Sequence, residues 1–282
     1  MNTTGIDYGD MAWNPTSGCT KISESCTNCW AERMAKRMAG RCGYDKDEPF
    51  KVTLHPDRLQ DPLKWKKPRT VLVSFMGDLF HEDVPDKYII DCLSIMAEAW
   101  QHTFIILTKR PARMKDIIAH ETVANDVWLQ TSRGVNAEPS PWLLPNIWLG
   151  VTAENQQRAD ERIPILLQIP AAKRFVSIEP MLGPVDLSNL KYDGDVLDAL
   201  VGEYLSTDGS EAYVPWNKLD WVICGSESGP RKRPAQTEWI CDLKDKCVAT
   251  AVPFYLKQME VDGKLVKMPE LDGRIWREMP CE

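Results

Sequence analysis

The sequence predicts an α/β fold, a (β/α) barrel-like arrangement of partial or full TIM type, on three observations. Short apolar runs of β type recur along the chain, several nearly continuous, such as VLVSF, FIILT, RFVSI and WVICG. Strands of that kind are buried on both faces, the mark of a parallel sheet covered by helices. Stretches with helical spacing separate most of these runs, and such alternation indicates βαβ units. Polar and charged residues gather where each run ends, and in parallel α/β folds the strand carboxyl ends share one face, which carries the site.

The elements follow in order. A strand at Met11–Asn14 precedes a helix at Cys29–Ala39. A second at Thr70–Phe75 precedes Lys87–Gln101, whose apolar residues fall at helical spacing with Pro85 near the start. Thr103–Thr108 leads to Pro111–Ala119, and Ile147–Val151 leads to Gln156–Gln168, which Pro164 is expected to interrupt. Arg174–Ile178 and Trp221–Gly225 follow, then a helix at Thr237–Thr250 and a seventh strand at Pro253–Leu256. Two segments, 121–146 and 186–220, lack the repeat and are read as insertions in a single domain spanning 1–282.

Hydrophobic residues make up 43% and charged residues 27%, the profile of a soluble globular chain. The net charge of −7 gives no general affinity for nucleic acid or an anionic membrane surface, though it leaves room for a local basic patch. Met1–Met11 is polar and acidic where a secretory leader would be basic and then apolar, and no apolar run approaches the roughly 20 residues of a membrane span. A cytoplasmic protein is expected. Nine cysteines at uneven spacing do not suggest a disulfide framework. With four histidines in no recognised pattern, a Ser-His-acid hydrolase has little support.

The strand ends bring together Cys19, Cys26 and Cys29 after the first, Asp78 after the second, Lys109 after the third and Glu154 after the fourth. Glu179 follows the fifth; Gly225 ends the sixth, with Glu227 just beyond; Lys257 follows the seventh. The thiols are spaced C-x6-C-x2-C, and thiolates are soft ligands that select zinc or iron–sulfur clusters. A structural zinc site normally has four protein ligands, so zinc requires another, such as His81; three cysteines on a cluster leave one iron open.

The run WNPTSGCTKISESCTNCWAERMAKRM, with SFMGDLFHEDVP, ILTKRP, WLGVTAENQQRADERIPILL, FVSIEPMLGPVDL and WVICGSESGPRKRP, resembles the phage- and prophage-associated three-cysteine-motif family. That family looks like a divergent branch of the radical SAM superfamily. The resemblance implies a radical-SAM-like barrel whose 4Fe-4S cluster is held by Cys19, Cys26 and Cys29. It implies S-adenosyl-L-methionine on the open iron as the source of a radical. Asp78, in Met76-Gly77-Asp78, would accept from the methionine amino group, and Gly225 and Glu227 would lie along the adenine. Glu154 and Glu179 would take ribose hydroxyls or substrate, and Lys109 with Arg110 the cofactor carboxylate or an anionic substrate group. Arg231, Lys232, Arg233 and Lys257 would hold a substrate, a nucleotide or nucleic acid being one candidate. An electron donor and a companion protein encoded alongside are the implied partners. The alternatives are a nucleic-acid-associated protein with a structural or redox-sensing cluster, and a zinc-stabilised binding protein without catalysis.

Overall fold

The computed structural model describes residues 3–131, 144–206 and 214–281. Eight strands form an open sheet in chain order: β1 (Met11–Trp13), β2 (Thr70–Val73), β3 (Thr103–Thr108), β4 (Ile147–Thr152), β5 (Lys173–Ile178), β6 (Trp221–Gly225), β7 (Phe254–Val261) and β8 (Lys264–Lys267). The α/β class stands. The seven expected strands form at the expected places, with ends moved by a few residues. The eighth was not expected, and it runs antiparallel to β7. The order leaves β1 and β8 as the two edges, so the sheet is open rather than a closed barrel.

The chain divides into two compact units, Met1–Leu149 with Ile169–Ala172, and Gly150–Gln168 with Lys173–Glu282. In the first, β1, β2 and β3 pair in parallel, with Met11 opposite Val71 and Thr70 opposite Thr103. Parallel pairing requires a crossover, and α2 (Asp86–Glu98) supplies the one between β2 and β3. Ile89, Leu93 and Met96 of α2 are fully buried, as are Val71, Leu72 and Phe104 on the strands. α1 (Trp30–Arg37) and α3 (Pro111–Ile118) form as expected. α4 (Glu121–Leu129) is a helix within the segment read as an insertion, while 132–143 of that segment lies outside the described residues.

In the second unit β5, β6 and β7 are parallel, and the β6–β7 register shifts at Cys224/Gly225. Fully buried Phe175, Trp221 and Phe254 anchor the sheet. α5 (Gln156–Leu167) starts on Asn155, whose Oδ1 accepts from Arg158 N at 3.0 Å, and runs through Pro164 instead of breaking there. α6 (Thr237–Ala249) precedes β7. The expected insertion 186–220 holds a four-stranded antiparallel sheet, with 207–213 outside the described residues. No helix among the described residues is long and apolar enough to cross a membrane.

Candidate functional site

In the first unit the loop after β1 is fixed before it reaches its cysteines. Gly18 N donates to Met76 O at 3.0 Å, and Gly18 and Gly77 form a bridge between the loops after β1 and β2. Both must be glycine. Gly18 has φ +82°, and a Cβ there would lie 2.1 Å from Lys51 O; a Cβ on Gly77 would lie 2.6 Å from Gly18 O. Buried polar pairs continue the anchoring. Thr16 Oγ1 and Ser74 Oγ are 2.9 Å apart, and Ser17 Oγ and His55 Nε2 are 2.7 Å apart. Tyr88 OH donates to Pro15 O at 3.0 Å.

Arg110, just past β3, is the centre of this region. Its Nε donates to both Glu82 oxygens at 3.0 Å, and Nη1 to Asp78 Oδ2 at 3.1 Å and to Cys19 Sγ at 3.3 Å. Nη2 donates to Thr20 Oγ1 at 2.9 Å, and that hydroxyl also meets His81 Nε2 at 2.9 Å. The guanidinium and the Asp78 carboxylate are both buried. Asp78 is saturated: Oδ1 accepts from Phe80 N and Thr108 Oγ1, and Oδ2 from Lys109 N and Arg110. A buried carboxylate with so full a set of donors is held rigidly in place. Burial, aided by the Arg110 charge, holds the His81 imidazole below its ordinary pKa.

The three thiols do not converge. Cys19 Sγ points its proton at Thr20 O, 3.3 Å away, while accepting from Arg110. Cys26, in the short helical turn Glu24–Asn28, lies 3.7 Å from Ser23 Oγ. Cys29 caps α1, its Sγ accepting from Glu32 N at 3.5 Å. Each sulfur is held by its own separate partners, and no three His, Cys, Asp or Glu side chains among the described residues are placed to hold a metal ion. This overturns the expected 4Fe-4S cluster, and with it S-adenosyl-L-methionine on an open iron, the radical reaction and its electron donor. It overturns both alternatives as well, since the redox or structural cluster and the zinc site need the same convergence. His81, the suggested extra zinc ligand, is turned to Thr20 and to Asp83 N.

The thiols differ in their electrostatics. Burial, reinforced by the Asp78 carboxylate, pushes Cys19 up to about 11 despite Arg110. For Cys26 burial is the largest single influence and opposes ionisation. The Lys109 ammonium and hydrogen bonds at Ile22 and Ser23 together outweigh it, so its pKa falls below the ordinary thiol value. Cys224, in β6, is core: it is fully buried, 3.8 Å from Met181 Sδ, and burial raises its pKa.

In the second unit Glu179 and Lys257 form a half-buried pair, Lys257 Nζ donating to both carboxylate oxygens at 2.8 and 2.9 Å. Gln258 Nε2 braces it, donating to Glu179 Oε1 at 3.2 Å and to Ser226 O at 2.8 Å. Gly225 lies beneath, where a Cβ would be 3.4 Å from the Glu179 side chain, an ordinary contact. Glu227 is buried and takes Arg233 N at 2.8 Å and Arg233 Nε at 2.9 Å. Glu154 is fully buried and pairs with Arg162 Nη1 at 2.9 Å. Of the basic run, Lys232 pairs with Glu260 and Arg233 with Glu227, and Arg231 also has a partner. Sequence reasoning named Arg110 only as a binding group and missed Thr20, Glu82 and Thr108 around it. The spacing of Thr108 and Arg110, two residues apart in LTKRP, is the one local signal.

A family model described as a protein of unknown function (DUF5131) matches residues 3–280. No curated protein and no solved structure matches the chain. The resemblance to the phage-associated three-cysteine-motif family, and through it to radical SAM enzymes, is corrected accordingly. The motif is present as letters, without the metal geometry that would give it that meaning.

Proposed function

We propose, for a chain that belongs to the DUF5131 family, that it is a thiol-dependent protein whose nucleophile is Cys26. The observation behind this reading is the divergence of two thiols in one loop. Cys19 is held as the neutral thiol, while Cys26 is tipped toward the thiolate beside Lys109. The thiolate is the attacking species, and reactive cysteines occupy partly exposed, electropositive surroundings of this kind. Environments that drive like groups apart in pKa are how sites divide roles between them. The loop pinned by Gly18 and Arg110 supplies the rigidity that positions such a group.

The reaction class is nucleophilic displacement. The Cys26 sulfur forms the new bond to an electrophilic carbon, the leaving group departs with the bonding pair, and solvent supplies its proton. Lys109 stabilises the thiolate and attracts an anionic ligand. In the second unit, the Glu179–Lys257 pair is the element offered to a polar ligand.

Iodoacetamide labelling across a pH series, read by peptide mass spectrometry, tests this. Cys26 is expected to alkylate at lower pH than the exposed thiols Cys42 and Cys281. Lys109→Gln should slow it by about fivefold at neutral pH, the scale of one partly screened charge. If Cys26 labels no faster than Cys42 or Cys281, the proposal fails.

A further inference from the structure

The stretch Lys64–Arg69, KWKKPR, places four cations in six residues of a chain whose net charge is −7. It borders a cavity of about 730 Å³ in the first unit, at the amino ends of β1 and β2, lined by Trp65, Lys66, Lys67 and Arg69 and by Asp10 and Asp61. That is the opposite end of the strands from the Cys26 loop, so the two sites are independent.

The charges around this cavity are not balanced. Asp10 is occupied, its Oδ2 accepting from Thr70 N at 2.8 Å, and Asp61 is paired with Lys64 at 2.7 Å. Lys66, Lys67 and Arg69 are exposed, and their side chains have no hydrogen-bond or ion-pair partner among the described residues. Basic runs are usually solvated faces. This one differs in bordering a concavity and in leaving three of its four cations without a partner among the described residues, while the carboxylates beside them are engaged.

The aromatic group is held in place. Trp65 closes a short helical turn with its N–H on Pro62 O at 3.3 Å, and its ring meets His102 edge-on with centroids 5.7 Å apart. A cavity of this size lies within the range of small-molecule sites and is far larger than a single phosphate ion requires. We propose that it binds a nucleotide, with the phosphates on Lys66, Lys67 and Arg69 and the base against Trp65.

Isothermal titration calorimetry on the full chain, without divalent cations, provides the test. ATP should bind saturably at one site, inorganic pyrophosphate more weakly at the same site, and adenosine not measurably. Lys66→Gln with Lys67→Gln should weaken ATP and pyrophosphate alike, by about tenfold at low ionic strength and less in salt. Trp65→Leu should weaken ATP and leave pyrophosphate unchanged. The two lysines are exposed, so an unaltered circular dichroism spectrum separates loss of binding from loss of fold. Absence of saturable ATP binding, or ATP binding indifferent to the two lysines, overturns the proposal. So does a single-stranded oligonucleotide that binds where ATP does not, which would make the stretch a nucleic-acid surface.

Discussion

Replacing Arg110 by methionine keeps much of the side chain's volume and deletes its charge and all its donors. Asp78 is then left buried without its partner. Breaking a buried pair from one side costs about 3–5 kcal/mol, because the remaining charge is uncompensated. Here the lower end applies, since Asp78 keeps Phe80 N, Thr108 Oγ1 and Lys109 N as donors. The lost contact to Glu82 adds less than about 1 kcal/mol, because that carboxylate is 64% exposed. The sum is about 3 kcal/mol, or roughly 6–12 °C in melting temperature for a unit of this size. Urea unfolding followed by tryptophan fluorescence gives the free energy. Hydrogen exchange across Thr103–Thr108 assigns the loss to the first unit. Asp78→Asn combined with Arg110→Met removes both charges, and the double variant should be less destabilised than the sum of the singles by about 2 kcal/mol. A loss below about 1 kcal/mol in Arg110→Met, or strict additivity in the double variant, would refute the view that this pair is the electrostatic centre of the site.

Two further outcomes are expected. Gly18→Ala should cost at least about 2–3 kcal/mol in equilibrium unfolding, from a positive φ and a backbone collision, whereas Gly225→Ala should cost under about 1 kcal/mol; equal effects would contradict the close-approach argument. Burial depresses the pKa of His55, His81 and His102, so the unfolded chain takes up protons that the native protein refuses. Stability should therefore fall as pH drops below about 6.5, by up to about 1.4 kcal/mol per pH unit for each histidine, until the folded pKa values are reached. A pH series of urea midpoints checks this, with His81→Gln expected to reduce the slope and a flat profile between about pH 5 and 7 counting against it.

Much of the sheet was legible because burial on both faces writes itself as continuous apolar sequence: VLVSF and FIILT admit few other readings. The hairpins were equally legible and were missed. Asp193-Gly194, Asp262-Gly263 and Asp272-Gly273 each have two consecutive positive φ values, the demand of a tight two-residue hairpin, and each joins antiparallel strands. The second of them creates β8. The segment around Tyr192 looked aperiodic because its strands are three or four residues long, too short to display an alternation. At the site, nearness in sequence was mistaken for convergence in space. Cys26 and Cys29 are three residues apart, yet one sits in a helical turn and the other caps the next helix, each bonded locally. Arg110 left no such trace, because its partners are scattered from Cys19 to Glu82, and no local pattern encodes a contact of that span.

That span also orders events as the chain folds. The guanidinium of Arg110 meets Cys19 across 91 positions and Thr20 across 90. Loops of this length close slowly, and their entropy must be met before the contacts that reward it exist. A chain emerging from its amino end exposes Cys19, Cys26 and Cys29 well before β3 and Arg110 are available to restrain them. Throughout that interval Cys19 lacks the Arg110 contact that holds it in the folded loop. The Arg110 contacts to Cys19 and Thr20 require the third strand in place, so they mark the assembly of β1, β2 and β3.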